Sequence, residues 1–199
     1  MARKSVCVYC GSATGKDPIF ATSARRLGAL LAADKIRLVY GGGSIGLMGM
    51  IAREAIASGG EVLGIIPGFL RDSEIAMVDG GELIVTHDMH ERKRAMFDNS
   101  HAFVALPGGI GTLEETVEMM TWVQLGQHRK PVVLANVAGF WDPLTALFDH
   151  VAEAGFLHPT RDGRALYRVV DEIDAVLPTV IGMIADGTKD PNPGNNGLM

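Results

Sequence analysis

Continuous apolar runs alternate with amphipathic stretches along this chain. SVCVYC (5–10), IRLVYGGG (36–43), EVLGIIP (61–67), ELIVTHD (82–88), HAFVALPGG (101–109) and KPVVLANV (130–137) are rich in β-branched and other apolar residues. Such runs mark strands buried on both faces, as in a parallel sheet. Between them, residues 20–34, 46–60, 89–100, 112–126 and 142–155 repeat apolar positions at helical spacing. Residues 167–187 predict a short strand and a last helix. Strands alternating with helices predict an α/β fold: a three-layer, doubly wound Rossmann-like parallel sheet with helices on both faces. No repeat, linker or second domain shows. One domain is expected over 1–187, with a disordered tail over 188–199.

Composition narrows the partners. The chain has 199 residues, 47% of them hydrophobic and 21% charged, with a net charge of −5. It has no basic half, which argues against a nucleic-acid polymer as partner. No apolar run approaches the ~18 residues of a membrane span. The basic start MARK leads into a strand pattern without a cleavage site, so no signal peptide is read and the cytoplasm is expected. The pair Cys7 and Cys10 is a CxxC on a strand with no second pair, and His87 and His90 have no matching third ligand. Neither a metal nor any other cofactor is expected. No lysine stands in a strand-end setting typical of a Schiff base.

Three loops follow strands and are rich in Gly, Ser or Thr: CGSATG (10–15), YGGGSIGLMG (40–49) and LPGGIGTLEE (106–115). In open α/β sheets, ligands sit beyond the carboxyl ends of the strands, and glycine lets backbone N–H groups approach an anion there. Ser12 of the first loop, with Gly42 and Gly43 of the second, forms a candidate phosphate loop. Gly41, Gly43 and Gly46 fit G-x-G-x-x-G, but they follow the second strand. The acid ~20 positions on, Glu61, begins a strand instead of ending one, which argues against a dinucleotide. On the helix MHERKRAM, the residues Met89, Arg92, Met96 and Asn99 form one stripe, which turns Arg92 inward toward an anionic partner. Such a partner could be a structural carboxylate or a ligand. Thr112 to Glu115 reads as a capping box that starts a helix, and it also places a carboxylate beside an anion site.

CGSATG, YGGGSIGLMG, MHERKRAM, PGGIGTLEE and TWVQLGQHRKP occur in order between Ser5 and Gly155. Together they resemble the Lonely Guy (LOG) family, the cytokinin riboside 5′-monophosphate phosphoribohydrolases, whose P-G-G-x-G-T-x-x-E and R-K-x-x-M motifs are intact. The resemblance implies hydrolysis of the N-glycosidic bond of adenosine 5′-monophosphates, N6-modified ones being favoured, with free base and ribose 5-phosphate as products. It implies Arg92 and Glu115 as the catalytic pair. Lys93, Gly108, Gly109, Ile110, Gly111, Thr112, Leu113 and Glu114 would contact substrate, as would Glu74, placed 18 residues before Arg92, and Thr121. It also implies a homodimer with sites near the interface. Two rival readings keep the same fold and loops: a nucleotide- or cofactor-binding carrier without turnover, and a general AMP or purine-nucleotide nucleosidase.

Overall fold

The structure is a computed structural model and describes residues 4–70, 80–160 and 162–188. Seven strands form one parallel sheet in the order β4-β3-β2-β1-β5-β6-β7. They are β1 (Ser5–Tyr9), β2 (Arg37–Tyr40), β3 (Val62–Pro67), β4 (Glu82–Thr86), β5 (Ala102–Ala105), β6 (Val132–Ala135) and β7 (Arg168–Val170). The helices are α1 (Pro18–Ala33), α2 (Gly46–Ala57), α3 (Met89–Asp98), α4 (Ile110–Gln124), α5 (Asp142–Glu153) and α6 (Ile173–Thr188). Short 3₁₀ turns cover Gly68–Leu70 and Val137–Gly139. The doubly wound Rossmann-like expectation therefore holds. Among the described residues no helix is long and apolar enough to cross a membrane. The tail expected to be disordered lies, except for Thr188 at the end of α6, outside the described residues.

Alternation along β1 shows how the layers arise. Val6 and Val8 face one side, with Leu27 and Leu31 of α1, Leu47 and Ile51 of α2, and Val176 and Val180 of α6. Cys7 and Tyr9 face the other, with Met96 of α3 and Met119, Met120 and Val123 of α4. Successive strand residues point to opposite faces, so the central strands β1, β3, β5 and β6 feed two cores and are apolar nearly throughout, whereas the edge strands β4 and β7 are largely exposed or half-buried and carry Glu82 and Arg168. The same alternation separates Cys7 from Cys10, which belong to different cores. Both thiols are free.

The strand order reverses at β1. Strands β2, β3 and β4 extend to one side of it, and β5, β6 and β7 to the other. The loops after β1 and β5 diverge at this switch point, where doubly wound sheets open their ligand crevice. The loops touch at their roots: Gly11 N–H donates to Pro107 O at 3.1 Å, and a Cβ on Gly11 would stand 3.3 Å from Gly108 Cα.

At the opposite end of β6, His128 is buried among Phe97 and Phe103. Its Nε2 lies 3.1 Å from Met119 O, and its Nδ1 accepts Lys130 N–H at 3.1 Å. That pattern fits the neutral ring with the proton on Nε2. Burial holds the pKa of His128 down at about 4, against an ordinary 6.5. The unfolded chain therefore binds a proton between these values that the folded chain refuses, and stability falls as pH drops through that window. Urea unfolding between pH 6.5 and 4 should show a slope of up to about 1.4 kcal/mol per pH unit from this one group. In a His128→Phe variant that part of the slope should vanish, and an unchanged slope would refute the assignment.

Candidate active site

Helix α3 is locked at its start. Asp88 is its N-cap, and Oδ1 accepts Glu91 N–H at 2.8 Å while Glu91 Oε2 accepts His87 N–H at 2.7 Å. This near-reciprocal cap, in the sequence D-x-x-E, fixes the first turn and with it Arg92. As the stripe predicts, Arg92 turns inward and is only 7% exposed. Its Nη1 donates to Glu115 Oε1 at 3.0 Å, its Nε to Ile65 O at 3.1 Å, and its Nη2 to Gly41 O at 3.5 Å. Gly41 is what makes room: a Cβ there would stand 2.2 Å from Nη2.

Helix α4 corrects one expectation. The capping box of Thr112 and Glu115 does not form. The helix begins two residues earlier, at Ile110, with Gly109 as an N-cap that offers no side chain. Leu113 N–H closes the first turn onto Gly109 O at 3.0 Å. Thr112 then lies inside the helix and packs on Gly108, where a Cβ would meet its Oγ1 at 2.2 Å. Glu115, released from capping, is 8% exposed and faces Arg92. With no capping side chain, the first-turn N–H groups of α4 form the kind of positive edge that favours anions. Gly109 and Gly111 at this edge are not dictated by packing, since a Cβ on either would meet nothing within 4 Å.

The floor of the site is neutral. Burial raises the Cys7 thiol and the Tyr9 phenol well above their ordinary pKa values, and the Glu115 charge pushes both further up. Burial and Glu115 do the same to Cys10. These groups stay protonated at any ordinary pH, so the charge balance belongs to the acidic and basic side chains above them.

Beside the buried pair, Lys93 Nζ donates to Glu114 Oε1 at 2.7 Å and to Glu118 Oε1 at 2.9 Å. Burial pulls the Lys93 ammonium down, but these two hydrogen bonds outweigh it and leave its pKa raised. Glu118 is absent from the sequence reading. The signal was present in the E-E-x-x-E spacing, which puts Glu114, Glu115 and Glu118 on one helical face.

Other expected residues are placed differently. Thr121 is exposed, and its hydroxyl bonds back to Val117 O at 2.8 Å, so it is not drawn into the charged cluster. Gly42 has φ 79° and packs against β3, with a Cβ position 3.0 Å from Ile66 Cβ. Ser12 lies in the loop that covers the start of α2. There Leu47 N–H donates to Gly11 O at 3.0 Å and Met48 N–H to the same oxygen at 3.3 Å. Two of the first-turn donors of α2 are thus already occupied by a main-chain carbonyl. Gly43 is buried at the end of β2, and Glu74 lies outside the described residues. Among the described residues no group of His, Cys, Asp or Glu could hold a metal ion.

A parallel sheet whose strand order reverses at β1, a helix start without a capping side chain and a buried Arg–Glu pair define a Rossmann-like α/β protein with a candidate site at that switch point. A family profile described as "possible lysine decarboxylase" matches residues 48–180. The cytokinin riboside 5′-monophosphate phosphoribohydrolase LOG5 of Arabidopsis thaliana is 44% identical over 189 residues, covering 92% of this chain and 82% of that protein. The probable cytokinin riboside 5′-monophosphate phosphoribohydrolase LOGL1 of Oryza sativa subsp. japonica is 53% identical over 152 residues, covering 76% and 68%. The chain belongs to this family and, within it, to the LOG group. Among solved structures, the Moco carrier protein of Chlamydomonas reinhardtii superposes with a TM-score of 0.69 at 23% identity, covering 92% of this chain and 99% of that one. The molybdenum cofactor binding protein of Rippkaea orientalis superposes with a TM-score of 0.67 at 20% identity, with the same coverage. At that identity the likeness is one of fold alone.

Gly41→Ala should force the guanidinium off Glu115 and cost about 1–3 kcal/mol of stability, read by urea unfolding. Gly111→Ala, in the helix and clear of neighbours, should be neutral or stabilising by up to about 1 kcal/mol. Equal stability of Gly41→Ala and the parent would overturn the assigned packing of Arg92.

Proposed function

We propose that this chain hydrolyses the N-glycosidic bond of N6-modified adenosine 5′-monophosphates, releasing the free cytokinin-type base and ribose 5-phosphate. The observation that carries this reading is the buried Glu115–Arg92 pair standing beside the uncapped start of α4 at the switch point. It is supported by the family to which the chain belongs.

The chemistry divides along the site. A 5′-phosphate is served by backbone N–H groups at the start of α4, where the helix dipole favours negative charge. The ribose then lies toward the carboxylates of Glu114 and Glu115. As the C1′–N9 bond breaks, its electron pair leaves with the purine, and positive charge grows on the sugar. The Glu115 carboxylate stabilises that cation and takes a proton from the attacking water, whose oxygen bonds to C1′. The departing base gains a proton on nitrogen from solvent, and Glu115 returns the proton it took from water to solvent, so that one water in all is split between C1′ and the base and the carboxylate is regenerated. Arg92 has two tasks: it aims Glu115, and it orients the nucleotide. Gly108 to Leu113 form the wall along the phosphate and sugar, and Lys93 and Glu114 complete the polar side. Glu74 and Thr121 are assigned to substrate through the family motif. The enzyme works as a homodimer in the cytoplasm, with the second subunit near the crevice. Ile110, 83% exposed at the crevice edge, supports that placement.

The test is release of free base, followed chromatographically, from isopentenyladenosine monophosphate and from AMP. The modified nucleotide should be the better substrate. Glu115→Gln should lose about 10²-fold or more in turnover. It should also lose up to about 3–5 kcal/mol of stability, because the buried guanidinium then faces an uncharged partner. Equal rates on both nucleotides would make the protein a general nucleosidase. Tight binding without base release would make it a carrier. Full activity in Glu115→Gln would remove Glu115 from the mechanism.

A further inference from the structure

Lys93 is held from two sides, and the sides differ. Its side chain is 14% exposed. Glu114, at 2.7 Å, has a side chain 53% exposed, whereas that of Glu118, at 2.9 Å, is 24% exposed. Glu118 also carries a cost. Its Oε2 is buried with no hydrogen-bond partner. An unsatisfied buried acceptor destabilises a fold. Packing alone gives no reason for a carboxylate at this position, where an apolar residue would bury without that loss. What the carboxylate does achieve is to fix a long, flexible ammonium that otherwise loses rotamer entropy when it is ordered by a ligand.

We propose that Glu118 is a positioning residue: it anchors Lys93 against α4, so that the ammonium stands ready for a substrate oxygen when the outer partner, Glu114, is displaced. The inference rests on the nucleotide hydrolase reading above. An ammonium has three N–H donors, of which Glu114 and Glu118 take two. The nucleotide competes with the exposed carboxylate, which water already screens, and not with the enclosed one. Spacing supports the division of labour. Glu118 follows Glu115 by three residues and Glu114 by four, so all three share one face of α4, while Arg92 and Lys93 are adjacent on α3. With Lys93 committed to Glu118, the adjacent cations Arg92 and Lys93 of α3 are sorted: Arg92 to Glu115, Lys93 to Glu118 and Glu114.

Four proteins decide the matter: the parent chain, Glu118→Gln, Lys93→Met and the double variant. The readings are AMP affinity by titration calorimetry, kcat and KM for isopentenyladenosine monophosphate, and the thermal midpoint. Glu118→Gln should keep its thermal midpoint, weaken AMP binding and raise KM by roughly tenfold, and leave kcat nearly unchanged. In the Lys93→Met background, Glu118→Gln should do nothing further. A Glu118→Gln enzyme with the parent KM and AMP affinity would overturn the proposal. So would losses that simply add in the double variant, or a loss that appears only with a lowered thermal midpoint. If the parent binds AMP but releases no base, the hydrolase reading fails while the affinity cycle still decides the role of Glu118. If the parent neither binds AMP nor releases base, both fall.

Discussion

A buried ion pair tolerates no missing partner. Removing one member leaves an uncompensated charge in a poor solvent, at a typical cost of about 3–5 kcal/mol. Arg92 and Glu115 make that constraint the organising fact of this molecule. The pair joins α3 to α4, and the guanidinium reaches on to the carbonyls of Ile65 in β3 and Gly41 after β2. Four elements of the sheet edge therefore meet on one side chain. Gly41 has no Cβ because Arg92 needs the space. The cap made by Asp88 and Glu91 sets the turn from which Arg92 projects.

Charge is sorted across the site. One flank holds carboxylates and their cations, and the other holds uncapped backbone amides. The floor of Cys7 and Tyr9 adds no charge, since burial keeps both protonated. A nucleotide monophosphate carries the matching polarity along its own length, an anion at one end of a sugar and a bond that becomes cationic at the other.

The order of strands and helices was readable because both faces of the central sheet are covered, so β1, β3, β5 and β6 are close to unbroken apolar runs, while β4 and β7 at the edges are legible only as β-branched stretches. Arg92 was readable because a charged residue on the stripe of Met89 and Met96 has nowhere to go but inward. The start of α4 was misread for a physical reason. Thr112 and Glu115 have the chemistry of a capping box, but the glycines before them let the chain enter the helix earlier, and tertiary pairing outbid local capping for Glu115. The cap made by Asp88 and Glu91 stands at the start of α3 as D-x-x-E, one residue before the Met89 stripe, and was not read from the sequence. Glu118 was missed because helical spacing alone does not say which of several acidic residues the next helix will engage. At Gly42 the close approach to β3 already asks for glycine, so the residue type alone does not carry the phosphate-loop reading.

The seal over α2 has a consequence for the local field. In a parallel sheet the helices that follow strands all start at the same end, and each would ordinarily attract an anion. Here Asp17 caps α1 and Asp88 caps α3, and the carbonyl of Gly11 takes the Leu47 and Met48 donors of α2 from within the chain. The start of α4 has no such side-chain cap. The local field is thereby made uneven, much as a socket is keyed by blocking some of several identical holes.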